Sequence, residues 1–147
     1  MSIVNPPPLM PVRLTRALGW SALYLALAAC IFTFPQTPGA GLDPSWRMAL
    51  GYMFEHGMQF GKDVVFTYGP LGFIMGNTFC GVQFWGLIAG QLAVALISAA
   101  TVILLGHRLG GSSRVVYFGF FLVFGFAYGD AMHMMVIAIL GFELLRD

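Results

Sequence analysis

The residues able to do chemistry fall in two groups. Between Gly41 and Gly72 lie three of the chain's six acidic residues, Asp43, Glu55 and Asp63, together with Arg47, His56, Lys62 and Tyr68. A second, shorter group is Asp130-Ala131-Met132-His133. A carboxylate can take a proton from an attacking hydroxyl, and guanidinium or ammonium groups hold an anionic headgroup through charge-assisted hydrogen bonds. Arg47 and Lys62 are the cations of the first group that could do so. Asp-x-x-His places two ligating types one helical turn apart, which is a weak signal for a divalent cation and too few donors to assign a metal. Each group also has a structural reading. Asp43 followed by Pro44 is a strong helix start, with the carboxylate as N-cap and Pro at the first helical position, and Lys62-Asp63 reads equally as a solvated pair.

The elements that must position these residues are apolar. Hydrophobic residues make up 59% and charged residues 9% of the 147, and mean hydropathy is +0.83, outside the range of a soluble globular domain. The expected fold is an all-α integral membrane protein with about four transmembrane helices, a single membrane domain spanning 1–147, plus an interfacial amphipathic helix in the first outer loop. The net charge of +1 and the scattered Lys and Arg exclude a nucleic-acid partner, since phosphate binding needs clustered cations. Cys30 and Cys80 form no disulfide framework or zinc spacing and read as apolar filler.

The first expected span is residues 17–34, uncharged and preceded by a tail of residues 1–16 that carries Asn5-Pro6-Pro7-Pro8, Arg13 and Arg16. The positive-inside rule places that tail in the cytoplasm of a cell whose plasma (inner) membrane the chain crosses several times. Leu27-Ala28-Ala29-Cys30 also matches a lipoprotein cleavage pattern, but the apolar run continues through Ile31 to Phe34 where a lipidated Cys would need a polar tether. The second span is 82–106, followed by a basic cytoplasmic loop, 107–114, with His107, Arg108 and Arg114. Gly86 and Gly90 offer a small-xxx-small surface for helix packing with other membrane segments, and Gln91 between them and the span's middle should face protein. Beyond it the pattern allows one helix of ~46 Å or two short spans, 115–128 and 130–146. The two-span reading is preferred, because a break at Tyr128-Gly129-Asp130 makes Asp130 an N-cap at the outer face and returns Arg146 to the cytoplasm.

Residues 35–81 form the outer loop. Within it a helix is expected over 44–56, with Trp46, Ala49, Leu50 and Met53 on a membrane-facing side and Arg47, Gly51 and Glu55 on another, ended by His56-Gly57. After it Val64-Val65-Phe66-Thr67-Tyr68 is β-prone, and Gly69-Pro70 turns the chain back.

Leu42-Asp43-Pro44-Ser45-Trp46 and Gly61-Lys62-Asp63-Val64-Val65-Phe66-Thr67-Tyr68-Gly69-Pro70-Leu71-Gly72 resemble the N-terminal part of bacterial GT-C-type polytopic membrane glycosyltransferases, the superfamily of the protein O-mannosyltransferases and lipid A aminoarabinose transferases. The resemblance implies transfer of a sugar from a polyprenyl-phosphate donor to an acceptor at the outer membrane face. It assigns Asp43 as general base and Asp130 as a supporting carboxylate, and it places Arg47, Lys62, Tyr68 and His133 on the substrate, with membrane lipid around the whole. It also implies that 1–147 is an N-terminal fragment of a larger protein, since relatives have eight or more spans. Two other classes fit the same residues: a non-catalytic accessory subunit in which Asp43 and Asp130 only cap helices, and a transporter fragment using the break at Asp130.

Overall fold

The structure is a computed structural model that describes residues 12–69, 71–79, 81 and 84–146. The Pro6 to Pro8 leader, Pro70 and Cys80 lie outside the described residues, as do the side chains of Asp43, Asp130, His133 and Arg146. The described chain is helical: α1 (Val12–Ile31), α2 (Leu42–Glu55), α3 (Gly72–Gly76), α4 (Phe84–His107), α5 (Gly111–Ala127) and α6 (Gly129–Arg146). α1 and α4, with 20 and 24 residues, are long and apolar enough to cross a membrane, at about 30 and 36 Å. α5 and the Met134–Leu145 stretch of α6 are apolar but shorter.

The four long helices run alternately up and down around one core. Near the start of α1, Trp20 stacks on His107 at the end of α4, with ring centroids 4.0 Å apart, while just after α1 Thr33 Oγ1 donates to Gln91 Oε1 in the first half of α4 at 2.9 Å. The two helices are therefore antiparallel. At the far end of α5, Gly125 lies against Cys30 and Met132, and at the near end Arg108 pairs with Glu143 of α6 at 3.0 Å. Leu27, Ile31, Ala95, Ala99, Phe121 and Met132 fill the middle. One end of the bundle thus gathers Arg16, His107, Arg108 and Arg114, and the opposite end carries α2, α3 and the start of α6.

Helix boundaries differ from the sequence reading in ways that have physical causes. α1 starts at Val12, so Arg13 and Arg16 sit within its first turns instead of preceding it. α2 starts at Leu42 behind Gly41, whose φ of 139° is open to glycine. Asp43 is therefore the second helical residue and not the N-cap, and Pro44 falls at the third position, where a backbone N–H would have no partner anyway. His56 and Gly57, at φ +60°, end the helix as expected. The chain breaks at Tyr128, with φ −141° and ψ 55°, so residues 111–146 form two helices. α6 starts at Gly129, which puts Asp130 in its first turn and not at the cap.

Candidate functional site

α3 was not anticipated, and it organises this end of the molecule. Its five residues sit between α2 and α4 because two glycines permit close approach: a Cβ on Gly76 would stand 3.3 Å from Arg47 Cβ, and one on Gly90 of α4 would stand 2.8 Å from Ile74 Cδ1. Gly90 therefore seats α3, whereas Gly86 has open space beside it, so the glycine pair does not act as a joint surface within this chain. Gln91 is 2% exposed and joins three segments. It accepts from Thr33 and donates through Nε2 to the Ile74 carbonyl at 2.6 Å, which satisfies an amide that would otherwise be costly in an apolar interior. Asn77, at φ 47°, ends α3 and donates through Nδ2 to Phe34 O at 3.0 Å. The Gln36 and Phe79 amides then tie the two arms of the loop together at 2.9 Å each.

On this base Leu50 of α2 is buried against Phe73 and Leu87, and Phe54 packs on Phe73 at 4.2 Å. The buried side of α2 thus includes Leu50, Gly51 and part of Arg47, so the face that the periodicity assigned to the membrane is turned partly into protein. The β-prone stretch forms no strand. Phe60 and Val64 instead close a tight turn, in which the Asp63 carboxylate accepts the Gln59 amide at 2.9 Å, and the chain then runs on irregularly to Tyr68.

That irregular path brings aromatic rings over the start of α2. Trp46 and Tyr68 lie parallel, with ring centroids 5.4 Å apart and an interplanar angle of 2°, and Phe66 stacks on Trp46 at 5.8 Å. Arg47 Cζ stands 5.4 Å from the Trp46 ring centre, a cation–π distance. A cavity of about 270 Å³ opens here, lined by Trp46, Arg47, Tyr68, Met75, Ala131 and Met134. Arg47 Nε is buried beside this cavity with no hydrogen-bond partner among the described residues.

Of the residues proposed from the sequence, Arg47 and Tyr68 meet in this cavity. Lys62 does not; it is exposed on the Gln59–Val64 turn and absent from the lining. Asp43, Asp130 and His133 are placed by backbone alone. Position 43 lies one turn before Trp46 and Arg47 on α2, and position 130 lies one turn before Met134 on α6. Glu55 lies against Gly81, and His56 Nδ1 donates to Tyr52 O at 2.9 Å while its ring stacks on Tyr52 at 3.8 Å; both point to structural roles. Among the described residues no cluster of three metal-ligating side chains occurs. Trp46 and Met75 are cavity residues that the sequence did not assign to a site. Trp46 reads from its pattern as a headgroup-level anchor, and Met75 belongs to a helix too short to show a period.

No family model, curated protein or solved structure matches the chain.

Proposed function

We propose that the chain is the N-terminal part of a multi-span membrane glycosyltransferase that moves a sugar from a polyprenyl-phosphate donor to an acceptor at the outer face of the plasma membrane. The observation that carries this reading is the shared cavity: one small pocket is lined from α2 by Trp46 and Arg47 and from α6 by Ala131 and Met134, the two helices whose first turns bear Asp43 and Asp130. The basic residues lie at the other end of the bundle, so α1, α4, α5 and α6 serve as four spans with the cavity outside and both helix-bundle termini in the cytoplasm. At 17 and 18 residues, α5 and α6 reach about 26 and 27 Å, which a slightly thinned bilayer accommodates.

In this reading Arg47 holds the donor's phosphate, because its guanidinium combines a buried Nε that has no partner among the described residues with a ring 5.4 Å away, and Tyr68 and Trp46 offer flat faces to the sugar. Asp43 acts as general base on the acceptor hydroxyl, with inversion at the anomeric carbon. Asp130 and His133 support the reacting groups from α6.

Two measurements test the reading. In a background lacking Cys30 and Cys80, a cysteine at Ala131 should react with membrane-impermeant maleimide added outside, and one at Ser113 should not; labelling of Ser113 from outside would refute the topology. Arg47→Gln should raise the KM for the polyprenyl-phosphate donor by about tenfold or more, the loss of a hydrogen bond to a charged group. An unchanged KM would remove Arg47 from the donor site.

A further inference from the structure

The basic end of the bundle carries a second feature that sugar transfer does not use. A groove between α1 and α5 is lined by Arg16, Gly19, Trp20, Leu23, Arg114 and Phe118, with Val115 beside them, and encloses about 290 Å³. Its walls are apolar, and Arg16 and Arg114 are among the residues that line it. Arg114 is fixed in place: its Nε donates to the Leu109 carbonyl at 2.9 Å and Nη2 reaches the His107 carbonyl at 3.1 Å. These bonds cap the end of α4, and among the described residues no acid lies within ion-pair distance of Arg16 or Arg114, the ion pair present there being Arg108–Glu143. Trp20, held by His107 on one side and by the edge of Phe118 at 5.9 Å on the other, forms the floor at the level where an indole ring sits in a headgroup layer. Gly19 leaves the mouth open, with nothing among the described residues within 4 Å of where its Cβ would be.

We propose that this groove binds one anionic phospholipid, its phosphate between Arg16 and Arg114 and an acyl chain along Leu23, Val115 and Phe118. A zwitterionic lipid would fill the apolar wall equally well but would leave the two charges facing a neutral headgroup. A soluble phosphate would meet the charges but leave the wall bare. An anionic lipid satisfies both parts, as basic pockets between spans on the cytoplasmic side do. The proposal rests on α1 and α5 being membrane spans, and the test separates the two.

The full chain is reconstituted in nanodiscs with a minor fraction of brominated phosphatidylglycerol or brominated phosphatidylcholine. Two single-tryptophan forms are used, one keeping Trp20 and the other keeping the exposed Trp85 at the opposite end as an insertion control. Trp20 should be quenched at about fivefold lower brominated phosphatidylglycerol than phosphatidylcholine, while Trp85 is quenched alike by both. Arg16→Gln should remove that preference, and Gly19→Phe, whose ring fills the open mouth, should abolish it with helix content unchanged. Equal quenching of Trp20 by both lipids would overturn the site and leave the membrane reading standing. Quenching of Trp85 but not Trp20 would overturn it in favour of a protein helix covering the groove. Relief of Trp20 quenching by soluble glycerol phosphate would reassign the arginines to a soluble anion. Failure to quench either tryptophan would overturn the membrane reading and this proposal together.

Discussion

Replacing Asp43 with Asn is expected to lower sugar transfer by about 100-fold or more while leaving the fold in place. The separation is possible because Asp43 is the second residue of α2, behind Gly41, where a carboxylate contributes through the favourable field of the helix's first turn. That field is worth about 0.3 to 1 kcal/mol, and Asn keeps the hydrogen-bonding oxygen. A general base has no such substitute, since an amide does not take a proton at neutral pH. Asp43→Ala is the less informative variant because it also removes the acceptor. The measurement is transfer of labelled sugar from a polyprenyl phosphate in membranes carrying the full protein, with thermal unfolding of the same preparations as control. Transfer near the wild-type rate in Asp43→Asn would discard the catalytic role and leave the first turn of α2 as scaffold.

The long helices were legible in the sequence because their causes are local and periodic. An uncharged run such as Phe84–His107 admits no other element, and the clustering of Arg16, Arg108 and Arg114 at one end follows from loop charge alone. The break at Tyr128 was also visible, since Gly and Asp interrupt an apolar pattern there. The end that carries α2 and α3 was less so. Gln91 could be assigned to face protein, but its partners, Thr33 and the Ile74 carbonyl, lie 58 and 17 residues away, and no local pattern announces them. α3 spans five residues, too few for a helical period, and only Gly76 and Gly90 hint that backbones meet there. The candidate site was half visible for the same reason: Arg47 and Tyr68 stand out by type, but Trp46 and Met75 join them through tertiary packing, and Lys62 is drawn away by a turn that Asp63 closes.

Leu50→Glu and Met53→Glu should differ sharply, and the difference locates the surface on which α2 rests. Were α2 held by lipid along its Trp46, Ala49, Leu50 and Met53 stripe, the two substitutions would cost similar amounts, each losing ~1.5 to 3 kcal/mol of burial. In the structure Leu50 is 1% exposed and locked between Phe73 of α3 and Leu87 of α4, whereas Met53 is only half-buried. Truncating a buried leucine alone costs about 2 to 5 kcal/mol, and a carboxylate in its place adds the penalty of an unpaired buried charge. Leu50→Glu should therefore release α2 from α3, exposing residues 44–57 to protease in vesicles and separating the Trp46–Tyr68 pair that lines the cavity. Met53→Glu should change protease resistance little, at a cost of about 1 kcal/mol or less. The cavity follows α2, so Leu50→Glu should also lose donor binding although Leu50 does not line it. Equal protease sensitivity in the two variants would return α2 to the membrane surface and detach the cavity from the docking of α2 on α3.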